Sequence, residues 1–518
     1  MMGETILIIV KRKIFLWFIG IISGGFIGYK IYQYSTAYQK DCREINDVQI
    51  KIIDSLKFIQ IGGAINDVSC LNSTPIYGIV RIENIDDIRN AIFYAKKNNL
   101  KISIAGARHS MGGQTFFKNV LVLDMLDYKK MKLDQNLKIM TVESGALWHE
   151  LQYSLHPYNL AIKAMQSSSI FTVGGSISVN AHGMDFRVGS IASTIKSLRI
   201  MNSEGIIKTI TKESDSQLFN AVVGGYGLFG VIVDAEIALT DNVMCAGYRE
   251  IMDYKDLPDF FLQQIKPDSN YELFYAHLST EPQSFLKQAV VYTFKKIDYS
   301  GQMPPLKEVE KINIRRFIFN ISKPSYFGKK FKWFAEKYLD KETELKTCSI
   351  TAAGSNSCLL SRNAIMHDAV EYLRNKLRNK VDILQEYFIP IKNFVPFIDA
   401  IHSILRASGI VTLNVSVRVV HKESIMLNYA PETMFAIVLY LNQSTTPRGI
   451  ERMKILTQQL INTALAHHGT FFLPYQLYYT KEQLIQAYPN IDEFFKLKQK
   501  YDPDEIFTNM FYEKYFPL

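Results

Sequence analysis

The 518-residue chain has few cysteines, and their spacing does not define a fold. An odd and widely scattered set excludes a disulfide-rich scaffold, and no C-x-x-C or H-x-x-x-H spacing supports a metal site. The adjacent His467 and His468 follow a predicted helix and are interpreted as a polar helix end. If the body of the protein is exported, one disulfide is possible. The sequence does not identify the two cysteines that would form it. The five cysteines are Cys42, Cys70, Cys245, Cys348 and Cys358.

Concentrated charge of one sign is also missing. The net charge is +9, from 59 basic and 50 acidic residues, but the charges are dispersed along the chain. A DNA-binding protein more commonly collects its basic residues in one motif or face, so no nucleic-acid partner is predicted. There is no internal repeat or low-complexity segment. The hydrophobic fraction of 47% is ordinary for a globular protein, and the length predicts two or more domains.

Only the N-terminus carries a long uncharged apolar segment. Basic residues at positions 11–13 precede residues 14–29, which contain no charge. Extended to Tyr34, this segment would be about 30 Å long as a helix, enough to span a bilayer. The basic residues would stay cytoplasmic and place the body on the extracytoplasmic side. We predict a single-pass signal anchor over residues 1–37, with a cleaved signal peptide as the first alternative and a buried core helix as the second.

The rest of the chain divides by its pattern of predicted helices and strands. Residues 38–65 are polar and are predicted to be a linker with a short helix. Residues 66–240 follow a β-α-β-β-β-α order, which is typical of an α+β domain. Residues 241–470 alternate strands and helices without glycine-rich loops, which indicates a second α+β domain. Residues 471–518 are rich in aromatic side chains and form a C-terminal segment.

Glycine is concentrated in three clusters, two of which suggest a binding surface. In residues 100–124, a predicted strand, a glycine-rich turn and a second strand follow one another. Such a turn lets backbone N–H groups approach an anion closely. In residues 171–183, Thr172 is placed to cap a helical turn of small residues, on which a flat group can pack.

The third cluster contains G-x-G-x-x-G at Gly225, Gly227 and Gly230. A Rossmann dinucleotide site requires a helix directly after this motif. Here residues 231–239 alternate between apolar and polar positions, which predicts a strand. The sequence therefore argues against a Rossmann site.

Together, these motifs resemble a known family. A-G-A-R-H-S-M-G-G-Q, T-V-G-G-S-I-S-V-N-A-H-G and G-G-Y-G-L-F-G-V-I-V-D-A-E resemble the flavin-binding domain of the vanillyl-alcohol oxidase (PCMH-type) superfamily. In the tail, A-Y-P-N-I-D-E-F and K-Y-D-P-D-E-I-F-T-N resemble the end of its sugar- and polyol-oxidising members, which include aldonolactone oxidases, alditol oxidase and decaprenylphosphoryl-ribose oxidase. The fold implied is α+β: a PCMH-type two-subdomain FAD-binding domain (66–240) and an α+β substrate or cap domain (241–470), after the N-terminal transmembrane helix.

The resemblance implies FAD as the cofactor. His109 occupies the position at which several members bond the flavin covalently, and the alternative is that it only hydrogen-bonds. His182 either lines the ring or caps its turn. The positions that the resemblance assigns to FAD contact are Gly106, Ala107, Arg108, His109, Ser110, Met111, Gly112, Gln114, Gly145, Ala146, Thr172, Val173, Gly174, Gly175, Ser176, Ser178, Asn180, His182, Gly183, Gly227, Gly230 and Val231.

Three residues are predicted to act on the substrate. Arg418 matches an arginine on a substrate-facing strand of alditol oxidase, although Ser416 stands where that enzyme has an acid. Tyr475 stands where related enzymes place a lysine near the flavin. Glu386, between Gln385 and Tyr387, lies on a third strand that would face the pocket. The alternatives are a surface salt bridge for Arg418, a packed aromatic for Tyr475 and a solvated carboxylate for Glu386.

The function predicted is oxidation of a CH–OH group by hydride transfer to flavin N5. The substrate would be a sugar, polyol, aldonolactone or lipid-linked sugar, with oxygen or a quinone as electron acceptor and the membrane as a further partner through the N-terminal helix. One alternative is a 2-hydroxy-acid dehydrogenase that passes electrons to a membrane quinone. The other is a flavin-free, anchored carbohydrate- or lipid-binding protein.

Overall fold

The structure is a computed structural model, and the predicted anchor lies outside its described residues except for Gly28. Within the described part of the chain, no helix is both long enough and apolar enough to cross a membrane. Signal-anchor formation by residues 1–37 therefore stays a prediction. The described residues are 28, 42–43, 50–308, 312–339, 359–367 and 379–517.

The first sheet has five strands in the order β1-β2-β5-β7-β6, with β5, β7 and β6 parallel. The C-terminal segment returns to its edge, because Thr508 N donates to the carbonyl of Ile102 at 2.8 Å. The linker predicted over 38–65 is wrong for residues 51–61, which form β1 and β2; β2 pairs with β5. The first seven strands are β1 Lys51–Ile53, β2 Leu56–Ile61, β3 Ala64–Ile65, β4 Thr74–Pro75, β5 Gly78–Arg81, β6 Ile102–Ala105 and β7 Leu121–Asp124.

The second sheet runs β12-β11-β13-β9-β8, and β10 pairs with β13. Its central strand β13 directly follows the G-x-G-x-x-G motif, as the alternating pattern predicted. The strand replaces the helix that a Rossmann site would need. The strands are β8 Met131–Asp134, β9 Ile139–Glu143, β10 Leu160–Ile162, β11 Ile195–Met201, β12 Ile207–Ile210 and β13 Val231–Asp241.

The third sheet is antiparallel, with eight strands in the order β17-β14-β16-β15-β19-β20-β18-β21. One large hydrophobic core joins it to the second sheet. The strands are β14 Met244–Asp253, β15 Tyr271–Leu278, β16 Gln288–Lys296, β17 Leu359–Ser361, β18 Lys380–Pro390, β19 Val411–Val420, β20 Met434–Ser444 and β21 Thr470–Phe471.

Helices cover the sheets, and their ends follow local capping rules. For example, Asn84 and Asp87 form a capping box at the start of the first described helix, whose apolar residues recur at helical spacing. The α-helices are Ile85–Lys97, Trp148–Leu155, Val173–Ser178, Ser216–Val222, Leu257–Phe260, Ile312–Ser322, Tyr326–Phe334, Arg362–Met366, Phe394–Ser408, Pro447–Ala466, Lys481–Ala487, Ile491–Tyr501 and Met510–Tyr515.

Candidate active site

The three glycine clusters meet in space. A Cβ added at Gly106, in the first cluster, would lie 2.1 Å from Thr172 Oγ1, in the second. The second and third clusters touch where Tyr226 N donates to the carbonyl of Ser178 at 2.9 Å. The 144–147 segment joins them, because Gly174 N donates to the carbonyl of Ser144 at 2.8 Å. Four distant segments therefore build one glycine-lined surface.

The short helix Val173–Ser178 begins as the sequence predicted. Thr172 is its N-cap, and its Oγ1 accepts a hydrogen bond from Gly175 N at 3.3 Å. A Cβ at Gly174 would lie 2.5 Å from Ser144 Cβ, so only a glycine fits there without a shift. The glycine therefore lets this helix pack closely against the 144–147 segment.

Several buried polar atoms around this surface lack a hydrogen-bond partner among the described residues. They include Ser144 Oγ, His182 Nδ1 and Ser416 Oγ. Buried polar groups in proteins are normally satisfied, so unsatisfied ones near a cradle point to a polar ligand. FAD carries hydrogen-bonding groups along its pyrophosphate, ribityl chain and ring. The donors and glycines present therefore suit that cofactor.

The turn at 106–114 is held from beneath by Asp67. This carboxylate is fully buried and accepts hydrogen bonds from Gly113 N at 3.0 Å and Asn72 Nδ2 at 2.8 Å. Burial raises the pKa of Asp67, which its hydrogen-bond donors oppose. No local sequence motif marks Asp67 as part of the site.

The C-terminal segment holds the same turn from the other side. Gln114 Nε2 donates to the carbonyl oxygens of Leu473 and Tyr475, at 2.8 and 3.1 Å. Met111 N donates to the carbonyl of Pro474 at 2.7 Å. The side chain of Gln114 thus positions Tyr475, and its predicted contact with FAD remains a prediction.

His109 is half-buried at the front of the turn. Its ring meets Phe171 edge-on, with centroids 4.6 Å apart, directly before Thr172. His109 therefore borders the glycine-lined surface. Whether it bonds the flavin stays a prediction.

Other predicted cofactor positions contribute to packing. Gly145 lies so close to Met125 that an added Cβ would be 1.7 Å from its carbonyl oxygen. Asn180 Oδ1 accepts a hydrogen bond from Ala192 N at 3.0 Å. Gly230 has φ +135° and leads into Val231, buried at the start of β13. Their contacts with FAD are untested.

Two of the predicted catalytic residues, Glu386 and Arg418, share one face of the third sheet. In the register, Glu386 on β18 and Ser416 on β19 both pair with Val438 on β20, so they lie in one row. Arg418 lies two residues along, in the next row on the same face. Residues 385 and 387 point to the opposite face, where Gln385 Nε2 donates to Thr457 Oγ1 at 2.7 Å.

Glu386 is the centre of a buried hydrogen-bonded cluster. One carboxylate oxygen lies 2.6 Å from His182 Nε2, and both side chains are 3% exposed. The other oxygen accepts a hydrogen bond from the Tyr475 hydroxyl at 3.2 Å. Three of the predicted residues are thus brought together, and the predicted alternative of a solvated Glu386 is wrong. The same bond makes Tyr475 more than a packed aromatic.

The charges around Tyr475 favour its neutral form. Burial and the Glu386 carboxylate raise the pKa of Tyr475 well above 10, while the nearby Arg418 guanidinium acts in the opposite direction. Arg418 is half-buried on the sheet and lies close enough to influence this hydroxyl. The cluster therefore presents a protonated phenol, a carboxylate and a cation on one face.

Two family models match the chain. One, described as an FAD binding domain, matches residues 76–211, and one described as D-arabinono-1,4-lactone oxidase matches residues 325–515. The first covers all of the first two glycine clusters, and the second covers β18, β19 and Tyr475. The matches therefore include both halves of the site.

Named relatives agree with these matches. Cytokinin dehydrogenase 9 of Oryza sativa subsp. japonica is 28% identical over 39% of this chain and 40% of its own length. Cytokinin dehydrogenase 2 of Arabidopsis thaliana is 23% identical over 86% of this chain and 91% of its own. Decaprenylphosphoryl-beta-D-ribose oxidase of Mycolicibacterium smegmatis is 28% identical over 28% of this chain and 32% of its own. The chain thus spans less than half of the length of cytokinin dehydrogenase 9 and of decaprenylphosphoryl-beta-D-ribose oxidase.

The glycine-lined surface and the FAD binding domain match define a flavoprotein that uses FAD. Within that class, the two family matches and the named oxidase relative are consistent with the PCMH-type FAD-binding oxidoreductases, on the branch that includes the aldonolactone oxidases. The predicted resemblance and the predicted cofactor are confirmed.

Proposed function

We propose that this protein oxidises a CH–OH group of a sugar, polyol, aldonolactone or lipid-linked sugar. The observation that carries the proposal is the Glu386–Tyr475–His182 cluster on the sheet face that also bears Ser416 and Arg418. Bound FAD would supply the hydride acceptor. The protein must then handle the hydroxyl proton and hold the substrate.

The cluster suits proton handling by a two-step relay. Tyr475 donates its own proton to Glu386, which leaves the lone pairs of the phenol oxygen free to accept a substrate hydroxyl proton. His182 holds the other carboxylate oxygen and fixes the orientation of Glu386. The positive charge of Arg418 would stabilise the substrate hydroxyl oxygen, which becomes more negative as its proton leaves.

A screen that follows flavin bleaching without oxygen tests the proposal. Sugars, polyols and aldonolactones should bleach the flavin of the wild type, and Glu386→Gln should slow bleaching by roughly 10² to 10⁴-fold. The matched control is Glu493→Gln, the same substitution at an exposed residue of the helix Ile491–Tyr501. Bleaching by 2-hydroxy acids alone would favour the 2-hydroxy-acid dehydrogenase alternative. Bleaching by a cytokinin alone would favour cytokinin dehydrogenation, the activity for which two of the relatives are named.

The electron acceptor is tested separately. We propose oxygen or a quinone, and comparison of oxygen consumption with quinone reduction distinguishes them. The flavin-free alternative is opposed by the FAD binding domain match, and bound FAD in the purified protein would exclude it.

We also propose a covalent bond between His109 and FAD, supported by the position of His109 at the edge of the glycine-lined surface. The wild type should keep flavin fluorescence on a denaturing gel, whereas His109→Ala should lose it. Fluorescence that is absent from the wild-type band would contradict the bond and leave FAD binding intact.

The proposed location is the extracytoplasmic side of a membrane, with residues 1–37 as the anchor. A disulfide between Cys42 and Cys70 supports this, since such bonds persist in oxidising compartments. A protease applied to intact cells should remove the body and leave the anchor. A body protected until the cells are lysed would contradict the proposal.

A further inference from the structure

Two imidazoles and one carboxylate that are not part of the Glu386 cluster meet at one point of the structure. His149 is on the helix Trp148–Leu155 of the FAD-binding domain, whereas Glu308 and His367 belong to the substrate domain. His149 Nε2 lies 3.1 Å from Glu308 Oε1, and His367 Nε2 lies 3.9 Å from Glu308 Oε2. One ligand atom from each residue falls within 4.8 Å of the other two. The arrangement therefore brings three metal-binding groups together from three separate segments.

The hydrogen bonds of His367 fix which nitrogen carries its proton. Gln152 Nε2 donates to the carbonyl of Asn363 at 3.1 Å, so Gln152 Oε1 is the atom that faces His367 Nδ1, at 3.0 Å. That oxygen only accepts, so His367 Nδ1 must carry hydrogen, and in the neutral imidazole Nε2 then carries the lone pair. This is the tautomer that binds a metal through Nε2.

The lone pair of His367 points into the cluster from a buried position. The side chain is 3% exposed, and within the described ranges Nε2 has no hydrogen-bond partner. A buried nitrogen without a hydrogen-bond partner at the centre of such a cluster calls for an electrophile.

We propose that His149, Glu308 and His367 bind a divalent transition-metal ion, with Zn²⁺ as the best match. Two imidazoles and one carboxylate are a common zinc ligand set, whereas Ca²⁺ and Mg²⁺ prefer oxygen ligands alone. The outer contacts are also present: Gln152 orients His367, and the Tyr153 hydroxyl donates to Glu308 Oε1 at 2.8 Å. The ion joins the FAD-binding and substrate domains. Sequence spacing did not reveal this site, because Glu308 lies 159 positions after His149 and His367 a further 59 positions along the chain.

Metal content of the FAD-loaded full-length protein tests the site. After treatment with a chelator and dialysis against Zn²⁺, the wild type should bind one equivalent, and Zn²⁺ should raise its Tm. Glu308→Gln and His367→Gln should each weaken zinc binding by roughly tenfold or more, and Gln152→Leu by about tenfold. The control is His468→Asn, at an exposed histidine outside the cluster.

The variants separate loss of metal from loss of fold. Glu308 has a 67% exposed side chain, so Glu308→Gln should keep the flavin spectrum of the wild type. His468→Asn, which keeps the cluster, should bind zinc as the wild type does. Either of two results would overturn the proposal: no stoichiometric zinc bound by the wild type, or equal affinity in the wild type and Glu308→Gln. Neither result bears on the oxidation reaction.

Discussion

At the scale of single residues, Tyr475 is the sharpest test of the proton relay. Removal of its hydroxyl in Tyr475→Phe breaks the 3.2 Å hydrogen bond to Glu386 and removes the oxygen that would accept the substrate proton. We expect kcat to fall by about 10²-fold or more with FAD retained. Tyr478→Phe is the control, because its hydroxyl bonds Gln443 outside the cluster. A kcat unchanged in Tyr475→Phe would contradict the relay.

The raised pKa of Tyr475 leads to a second prediction, which concerns the pH dependence of the reaction. A pKa well above 10 keeps the phenol protonated, so no phenolate forms over the neutral range. The pH profile of kcat/KM should therefore have no rise due to Tyr475 below about pH 10. An alkaline rise that disappears in Tyr475→Phe would show that the phenolate is the base instead.

The residues of the site were partly predictable. Arg418 and Tyr475 are predicted by resemblance and Glu386 by its place on a third strand, and strand alternation explains why Glu386 faces the site. The hydrogen bond between His182 and Glu386 joins residues 204 positions apart, and no local pattern encodes it. The buried Asp67 beneath the first turn was missed for the same reason, because its role depends on packing between distant segments.

At the scale of elements, Gly106 tests the cradle. Gly106→Ala would place a Cβ 2.1 Å from Thr172 Oγ1, so the first turn and the helix Val173–Ser178 must move apart. We expect FAD content to fall severalfold, as measured by flavin absorbance per protein. Gly62→Ala is the control: its φ of +65° is strained, at about 1 kcal/mol, but nothing lies within 4 Å of its added Cβ. Equal FAD content in both variants would argue against the cradle.

Glu336, in a helical segment that contacts the third sheet, makes a pH-dependent contact. Burial alone would raise the pKa of Glu336, but Lys332 and His277, at 2.9 and 2.5 Å, outweigh it and lower the pKa to about 2. A depressed carboxylate pKa stabilises the folded state above pH 4.5, and that stabilisation is lost as the pH falls towards 2.

Glu336→Gln should therefore reduce the free energy of unfolding by up to about 3 kcal/mol at pH 7, which would be measured as a lower Tm. The decrease should be smaller at pH 3.5. Asp504→Asn is the control, since Asp504 forms only an exposed ion pair with Lys96. A Tm difference that grows as the pH falls would have the wrong sign for this account.

Elements with strong periodic patterns were predicted well. The capped turn after Thr172 and the strand β13 both form as predicted. Residues 51–61 were missed because their charged and polar side chains obscure the alternation, and only pairing of β2 with β5 makes them strands. β14 was also missed, since its second half is largely exposed and polar.

At the scale of the whole molecule, one disulfide fastens the N-terminal region to the FAD-binding domain. Cys42 bonds Cys70, across 28 residues, and the next residue, Arg43, accepts a hydrogen bond from Arg108 at 2.8 Å. Cys42→Ser should lower stability by about 3 to 4 kcal/mol on the chain-entropy estimate, measured as a drop in Tm. Cys245→Ala, at a buried free thiol, is the control. A Tm unaffected by Cys42→Ser or by reductant would contradict this anchoring.

The central claim concerns the molecule as a single catalytic unit, in which FAD on the glycine-lined surface faces the Glu386 cluster. The most direct measurement is the absorbance of the purified protein near 450 nm, before and after substrate is added without oxygen. We predict a flavin band that a sugar, polyol or aldonolactone bleaches quickly in the wild type and slowly in Glu386→Gln. Absence of the flavin band, or bleaching at equal rates in both proteins, would contradict the account.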